Sequence, residues 1–396
     1  MPGVYILSAV RTPIGKYGGS LAAFSAPDLG VVAARGALEA AGVLPEQVNE
    51  VIFGHARQAG NGPNPARQIA VRAGVPVEVP AYTVNQACAS GLKAIALGYD
   101  QIALGRAEVV LAGGAEAMSR IPYLVEGARW GARLGHQQLT DGMYQDGFFC
   151  PLSRLVMGET AELLAQRYGI SREEQDAFAL ASQQCAARAR EGARFQDEIR
   201  PVPIQDKKGE RSFAADEHPR PETTAESLAK LPPVFSKKTD TITAGNASGI
   251  TDGAAALVLA SENWLKQRPD AAAREPLTRI VDYAITGVDP KFMGLGPVPA
   301  IRRLLERTRG QLEGYDLIEL NEAFAAQVLA CDRELHFDRQ RLNVNGGAIA
   351  LGHPIGCSGA RIAVTLLHEM KKRGARRGLA ALCVSGGLGM AMEVER

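Results

Sequence analysis

Short apolar runs alternate with longer stretches of helical periodicity along most of the chain. Ala81–Val84 and residues 109–112 are typical of buried strands, and residues 91–104 between them carry Ala, Leu and Ile at helical spacing. The alternation returns after about residue 275, where the same patterns predict strands and a helix over Leu317–Leu320, 379–384 and 358–372. This repetition of strand, helix and strand predicts an α/β fold with layers built on mostly parallel sheets.

Two pairs of segments resemble each other across the chain. Residues 45–53 resemble residues 313–319, and residues 105–114 resemble residues 377–387. The two pairs are separated by nearly the same number of residues, which predicts two related halves with small insertions. The alternative is that two unrelated α/β segments share the pattern by chance.

Residues 121–249 lack this alternation. Residues 127–147 have scattered glycines and little periodicity, and residues 200–240 are polar and rich in proline. Residues 171–195 are the exception, because Ser171 as N-cap and Glu174 at capping-box spacing predict a helix. The segment is therefore predicted to be a loop-rich insertion that carries a binding surface.

Charge and composition exclude several classes of protein. The 396 residues include 44 basic and 43 acidic side chains, so the chain has no long-range field for nucleic acid or an acidic membrane. No apolar run approaches the ~18 residues of a membrane-spanning helix. The N-terminus reads as a strand rather than a signal peptide, so a cytoplasmic location is expected.

Six cysteines are spread along the chain, without a CxxC pair or the spacing of a disulfide framework or a zinc site. No bound metal is therefore expected. Cys88 follows a predicted strand and small residues, and a predicted helix begins directly after it. A helix N-terminus favours a thiolate, which predicts a nucleophile, although a small packing cysteine fits the same turn.

Three further segments place chemistry at strand ends or glycine-rich turns. His353 precedes a proline in a glycine-rich connection, where it serves as a general base or only caps a turn. Cys383 ends a second strand and enters a glycine-rich turn. Asn321 follows a third strand, where it orients a ligand or a water molecule, or is an N-cap. The glycines are not a phosphate loop, since the lysine of that motif is missing.

These segments resemble, in order and over the whole chain, the signature blocks of the thiolase family. The resemblance is carried by residues 8–15 (SAVRTPIG), 85–91 (NQACASG), 113–119 (GGAEAMS), 321–324 (NEAF), 352–356 (GHPIG) and the block around Cys383. It implies a duplicated five-layer α-β-α-β-α architecture with an inserted loop domain, in which each half is a mixed sheet between helices. The expected domains are residues 1–120 with 250–270, the insertion 121–249, and residues 271–396.

The resemblance implies a Claisen condensation and its reverse. Cys88 is expected to carry the acyl group, His353 to take the Cys88 proton, and Cys383 to remove a proton from the acetyl-CoA methyl group. An enolate is expected to be held by His353 and by a water molecule on Asn321. The backbone N–H groups of Cys88 and Ser385 are expected to hold the oxyanion of the tetrahedral intermediate.

The resemblance also implies the substrate site and the assembly. Residues that match the family's coenzyme A and acyl pocket are Arg220, Ser227 and Phe235 at the adenine end, Ala244 and Ser248 beside the pantetheine, and Met157, Met293 and Phe324 in the acyl pocket. Without the family, the methionines read as core packing and Arg220 as a solvated charge. No cofactor is expected, since coenzyme A is a substrate and product. A homodimer or homotetramer is expected, with a tetramer contact in residues 127–147.

Two departures from the family pattern bear on specificity. Val156 stands where short-chain biosynthetic thiolases carry a histidine, and valine cannot hydrogen-bond an acetoacetyl oxygen. Ser385 stands where glycine is usual.

Two other hypotheses for the function stay open. The first is a decarboxylating ketoacyl synthase, which a cysteine at 383 disfavours. The second is a thiolase-like protein that binds acyl-CoA or lipid without chemistry.

Overall fold

The computed structural model describes residues 3–206, 209–234, 241–267 and 276–396. The strands in these residues are β1 Val4–Arg11, β2 Gly15–Lys16, β3 Glu50–Gly54, β4 Ala81–Val84, β5 Val109–Ala117, β6 Tyr123–Leu124, β7 Thr140–Asp141, β8 Phe149–Cys150, β9 Leu155–Val156, β10 Val202–Asp206, β11 Gly209–Phe213, β12 Thr251–Ser261, β13 Thr278–Gly287, β14 Leu317–Leu320, β15 Arg377–Val384 and β16 Leu388–Glu395. The helices are α1 Ala26–Ala41, α2 Pro65–Arg72, α3 Ser90–Ala103, α4 Met157–Tyr168, α5 Arg172–Glu191, α6 Ala225–Ala229, α7 Glu262–Lys266, α8 Pro297–Thr308, α9 Ala325–Leu335, α10 Ala348–Leu351 and α11 Ile355–Arg373.

The N-terminal half forms a sheet with the order β4-β3-β5-β12-β1. Strand β3 is parallel to β4 and β5, whereas β12 is antiparallel to both β5 and β1. Every residue of β5 and β12 is buried, which explains why apolar residues predominate in both strands without a regular alternation with polar ones. Strand β12 follows the insertion, so the chain returns to complete its first sheet.

The C-terminal half repeats this arrangement in the order β14-β15-β16-β13. Strand β14 is parallel to β15, and the remaining neighbours are antiparallel. A parallel bridge between Ile318 and Leu342 lies where β4 stands in the first half. The matching order confirms the predicted duplication. Short pairing of β1 with β13 joins the two sheets.

Each sheet is mixed, as the family resemblance implies, so the prediction of mostly parallel sheets from the alternation pattern alone is wrong. A strand buried on both faces has the same apolar pattern in either direction, so periodicity did not reveal that β12 and β16 run antiparallel to their neighbours. Strand β16 follows β15 through a tight hairpin, and only antiparallel strands can be joined in that way.

Helices and sheets alternate in five layers. Helices α1 and α2 pack on the outer face of the first sheet, and α8 and α9 pack on the outer face of the second. Between the sheets lie α3 and α11, which share the largest apolar core with strands of both halves. A Cβ on Gly91 would lie 2.7 Å from the Ala360 nitrogen, so glycine allows the two central helices to touch backbone to backbone.

The insertion contains α4, α5, α6 and three separate pairs of antiparallel strands, β6 with β7, β8 with β9 and β10 with β11. Helix α5 begins with the predicted Ser171 capping box, and it ends at Glu191, before the predicted residue 195. Helix α11 begins at Ile355, three residues earlier than predicted. The domain boundaries themselves stay a prediction. In the described ranges, no helix is both long and apolar enough to cross a membrane.

Candidate active site

A cavity of about 550 Å³ lies where the two halves and the insertion meet. Its lining includes Cys88 from the first half, His353 and Cys383 from the second half, and Met157 and Ser248 from the insertion. The fold therefore brings the three predicted reactive side chains to one space, although they lie far apart along the chain.

Cys88 lies on a short 3-10 turn, Ala87–Ala89, between β4 and α3. Ala87 has a φ of 46°, which is strained for a residue with a side chain. The Ser90 hydroxyl holds this turn, since it donates to the Ala87 carbonyl at 2.6 Å and accepts from the Gln86 N–H at 2.9 Å. The strained turn leaves the sulfur partly accessible at the cavity.

The expected thiolate at Cys88 is not what the surroundings favour. Burial raises the pKa of the Cys88 thiol, although the Arg57 cation and the backbone N–H groups of Ser385 and Cys88 oppose the shift. Desolvation therefore outweighs the helix N-terminus, and the resting group is a neutral thiol. A base is needed to activate it.

Cys383 and Ser385 come from the hairpin that joins β15 to β16. Gly386 and Gly387 have φ values of 87° and 85°, a backbone conformation that favours glycine. A Cβ on Gly387 would also lie 2.3 Å from the Val288 carbonyl oxygen. This turn brings the Ser385 N–H close enough to the Cys88 sulfur to favour its thiolate. Cys383 itself is 1% exposed, and burial raises the pKa of its thiol.

His353 lies directly before α11, fixed from both sides. Its Nδ1 is 2.5 Å from the Ser358 hydroxyl, and that hydroxyl donates its proton to the Pro354 carbonyl at 2.9 Å. Ser358 Oγ must therefore accept from His353, so Nδ1 carries the proton and Nε2 is the free acceptor. Burial, with the Arg361 and Arg57 cations adding to it, lowers the pKa of His353 to about 3. The histidine is a neutral base.

Asn321 directly follows β14 and is not one of the residues that line the cavity. The N-cap alternative is wrong, because α9 begins at Ala325 with Phe324 as its N-cap. Asn321 is fully buried, and within the described part of the chain neither its amide oxygen nor its amide nitrogen has a hydrogen-bond partner. Such an amide is suited to hold a water molecule, because buried polar atoms are rarely left unpaired.

A buried carboxylate, Glu116, accepts hydrogen bonds from the segment after β3 and from the start of α11. Glu116 on β5 accepts backbone N–H groups from Ala56, Arg57 and Gly356 at 2.8–3.2 Å, and it pairs with His55 at 2.9 Å. Burial alone would raise the pKa of Glu116, but His55, Arg57 and these donors hold it below its ordinary value. The resulting carboxylate positions the loop after His353.

Most predicted substrate-binding residues line the same cavity; they are Met157, Met293, Phe324, Ala244, Ser248 and Arg220. Val156 lines it as well. Ser227 does not; its N–H and hydroxyl bond to Thr224 at the start of α6. Phe235 lies outside the described residues. Among the described residues, no group of three His, Cys, Asp or Glu side chains is arranged to hold a metal ion.

Several residues of the site were missed from the sequence. Arg57, Phe148 and His218 also line the cavity, and Ser358 fixes the His353 tautomer. A signal existed for Arg57, because it comes shortly after β3, and polar side chains that follow parallel strands gather at one edge of a sheet. Ser358 lies five residues after His353, and only the turn at Pro354 brings the two together.

Comparison with known proteins gives a consistent result. Residues 4–263 match the family model "Thiolase, N-terminal domain", and residues 274–396 match "Thiolase, C-terminal domain". The acetyl-CoA acetyltransferase of Pseudomonas aeruginosa is 54% identical over 397 residues, which cover 100% of both chains.

Two solved structures are similar over the full length. The acetyl-CoA acetyltransferase of Bacillus anthracis is 49% identical with a TM-score of 0.96, and the match covers 100% of this chain and 99% of that one. Human mitochondrial 3-ketoacyl-CoA thiolase in complex with CoA is 45% identical with a TM-score of 0.94, covering 100% and 98%.

The chain therefore belongs to the thiolase family. It is an acyltransferase, and its α/β fold is the duplicated architecture of that family. The resemblance drawn from the signature blocks is confirmed.

Proposed function

We propose that the chain is an acetyl-CoA C-acetyltransferase that catalyses reversible Claisen condensation of acetyl-CoA with acyl-CoA and CoA-dependent cleavage of 3-oxoacyl-CoA. The observation that carries this proposal is that Cys88, His353 and Cys383 line one cavity. A thiol and a base suffice for acyl transfer, but forming a carbon–carbon bond also needs a second group that removes a proton from carbon. Cys383 supplies that group.

In the first half-reaction, the Cys88 thiol gives its proton to Nε2 of His353 and attacks the thioester carbonyl. The N–H groups of Cys88 and Ser385 receive the developing oxyanion, a contribution of ~3–4 kcal/mol for each donor. The intermediate collapses to acyl-Cys88, and the departing CoA sulfur takes the proton from His353. The neutral resting state of His353 suits this role, because its Nε2 lone pair is available.

In the second half-reaction, Nε2 of His353 takes the Cys383 proton, and the Cys383 thiolate removes a proton from the methyl group of acetyl-CoA. The enolate oxygen accepts a hydrogen bond from the protonated Nε2 of His353 and another from a water molecule on the Asn321 amide. The enolate carbon attacks acyl-Cys88, and the departing Cys88 sulfur takes the proton from His353. Burial at Cys383 makes its thiolate a strong base, which suits a weakly acidic carbon. Cleavage follows the same steps in reverse.

The cavity also accommodates coenzyme A in this proposal. Arg220 is an exposed cation on the lining and is placed to meet the phosphates or the adenine end. Ala244 and Ser248 lie beside the pantetheine, with Ser227 and Phe235 contributing at the adenine end. The acyl group extends from Cys88 between Met157, Met293 and Phe324, which share one apolar cluster with Cys383.

The protein acts as a homodimer or homotetramer in the cytoplasm. Support for a contact between copies comes from the insertion, where Trp130, Leu134 and Leu139 are exposed apolar side chains on one segment. The mass of the assembly, measured by light scattering after size exclusion, tests this part of the proposal.

The decisive experiment mixes the protein with acetoacetyl-CoA and free CoA and follows the loss of the enolate absorbance. A series of longer 3-oxoacyl-CoAs then gives kcat/KM against chain length, because Val156 removes a polar contact from the short-chain site. Turnover of short or medium chains is expected. Wild-type protein that cleaves none of them would refute the proposed function.

A further inference from the structure

Arg57 is a buried cation at the boundary of two cavities. It follows β3 and is 7% exposed. Its side chain lines the cavity that holds Cys88 and His353, and also an adjoining cavity of about 700 Å³. Ser385 and Gly147 line both spaces too, so Arg57 lies where an acyl chain on Cys88 would pass from one to the other.

The guanidinium has no carboxylate partner among the described residues. Its Nε is buried without a hydrogen bond, and Nη1 has only a 3.5 Å contact to the Ala56 carbonyl. Arg11 is buried as deeply but pairs with Glu198 and Asp216, each at 2.7 Å. A buried cation without a hydrogen-bonded anion is costly, so the Arg57 guanidinium favours an anionic ligand.

Neighbouring acidic groups do not neutralise it. The Glu116 carboxylate is already used by His55 and by three backbone N–H groups. Asp146 lines the adjoining cavity, but its side chain is exposed and no ion pair joins it to Arg57 within the described chain. The Glu116 carboxylate therefore acts on Arg57 only through space, and the N–H groups of the guanidinium are left for a ligand.

The guanidinium is also held in place. A Cβ on Gly147 would lie 2.8 Å from the Arg57 Nε, so the side chain packs against the glycine backbone of the insertion. Around it, the adjoining cavity offers the neutral amides of Gln58, Asn85 and Gln145. A clamped cation among neutral polar groups is a preorganised site for an anion.

We propose that Arg57 binds a carboxylate at the far end of the acyl chain that Cys88 carries. The enzyme then favours 3-oxoacyl-CoA substrates whose chain ends in a carboxylate over substrates that end in a methyl group. This inference rests on the proposed function, and it names the substrate class of the same site. Arg57 reads the chain end, whereas the apolar side chains of Met157 and Met293 contact its middle.

The test compares kcat/KM for CoA-dependent cleavage of two 3-oxoacyl-CoAs of equal chain length, one ending in a carboxylate and one in a methyl group. Wild type is expected to favour the carboxylate roughly 10- to 100-fold, the range of a hydrogen-bonded charge pair. Arg57→Met should remove this preference, and Arg57→Lys should keep part of it. Arg303→Met, which removes an exposed arginine on α8, is the matched control and should keep the wild-type ratio.

Wild type without a preference for the carboxylate would overturn the inference, and that result needs no variant to fold. A second result would also overturn the inference. If Arg57→Met lowers kcat/KM equally for both substrates and slows alkylation of Cys88 by iodoacetamide, then Arg57 acts only on the Cys88 thiol. Turnover of uncharged chains in either case leaves the proposed function standing. Failure of all 3-oxoacyl-CoAs would overturn both.

Discussion

The two central helices begin at the same cavity, and in the proposed mechanism they carry a proton donor and a proton acceptor. Cys88 lies just before α3 of the first half, and His353 lies just before α11 of the second. A helix N-terminus favours a thiolate and disfavours an imidazolium. At His353 burial acts in the same direction and the pKa falls to about 3, whereas at Cys88 burial acts against the helix and raises the pKa.

The contrast between the pKa shifts of Cys88 and His353 shows which part of the site follows from the duplicated fold and which part follows from the side chains. Both halves provide a helix start at one cavity, but the side chain placed there decides whether the group donates or accepts a proton. Both groups rest uncharged, so charge separates only when a thioester carbonyl is present to receive it. A neutral pair also avoids the cost of two buried charges.

Removing the thiol at the start of the first central helix should have the largest effect on activity. In Cys88→Ala, no acyl adduct forms and kcat should fall by at least about 10⁴-fold, as when other covalent nucleophiles are removed. Intact-protein mass spectrometry after acetyl-CoA treatment detects the adduct. Cys185→Ala, which removes a partly accessible thiol far from the cavity lining, is the control and should be acylated as wild type is. An adduct that persists in Cys88→Ala contradicts the assignment.

Removing the imidazole at the start of the second central helix should lower activity less, because water can replace a base in part. His353→Gln is expected to lower kcat/KM by roughly 10²- to 10⁴-fold, the usual contribution of general acid–base catalysis. Steady-state kinetics with acetoacetyl-CoA and CoA gives the ratio. A variant within tenfold of wild type would show that another group takes the Cys88 proton.

The low pKa of His353 also predicts how stability depends on pH. The folded-state value of about 3 lies below the ordinary 6.5, so the unfolded chain binds this proton more readily between those pH values. The free energy of unfolding should therefore decrease as pH falls from about 6.5 towards 3. Between pH 7 and pH 5, the urea midpoint should fall less in His353→Gln than in wild type. Equal falls would mean that His353 is not held neutral.

Much of the fold was accessible from the sequence because buried strands and amphipathic helices have distinct periods. Strand β4 was placed at its observed bounds, Ala81–Val84, and Ser171 was identified as the cap of α5. Strand direction was not accessible, since β12 is buried on both faces and its pattern is the same either way. The start of α11 was missed because Gly356 and Cys357 read as loop residues.

The residues proposed to react were easier to single out in the sequence than the residues around them. Cys88 lies between a predicted strand and a predicted helix, and His353 lies before a proline in a glycine-rich connection. Such positions can be identified from a single sequence. The roles of Arg57 and Ser358 depend on neighbours from other parts of the fold, such as Gly147 beside the Arg57 guanidinium. The raised pKa of Cys88 was likewise beyond the sequence, since it follows from burial and not from position on a helix.

A smaller effect is expected when His353 is kept but its orientation is loosened. Ser358→Ala removes the acceptor for Nδ1, so the tautomer with a free Nε2 is no longer fixed. Losing one such hydrogen bond costs ~1–2 kcal/mol, which corresponds to roughly a tenfold loss of kcat/KM. Ser358→Thr, which keeps the hydroxyl, should retain more activity than Ser358→Ala. Equal activities would assign the serine a packing role only.

The smallest effect on activity is expected at Cys357. This residue tests whether nearness to a helix start is enough to make a thiol reactive. This thiol lies in the first turn of α11, close to the helix start as Cys88 is, but it is 1% exposed and belongs to the central core. Burial raises its pKa to about 12, so it is a packing group. Cys357→Ala should keep kcat/KM within tenfold of wild type and lower stability by about 1 kcal/mol. Iodoacetamide labelling followed by peptide mass spectrometry should modify Cys88 and spare Cys357. A loss above tenfold without a change in the urea midpoint would mean that nearness to a helix start, and not access to the cavity, selects the reactive thiols.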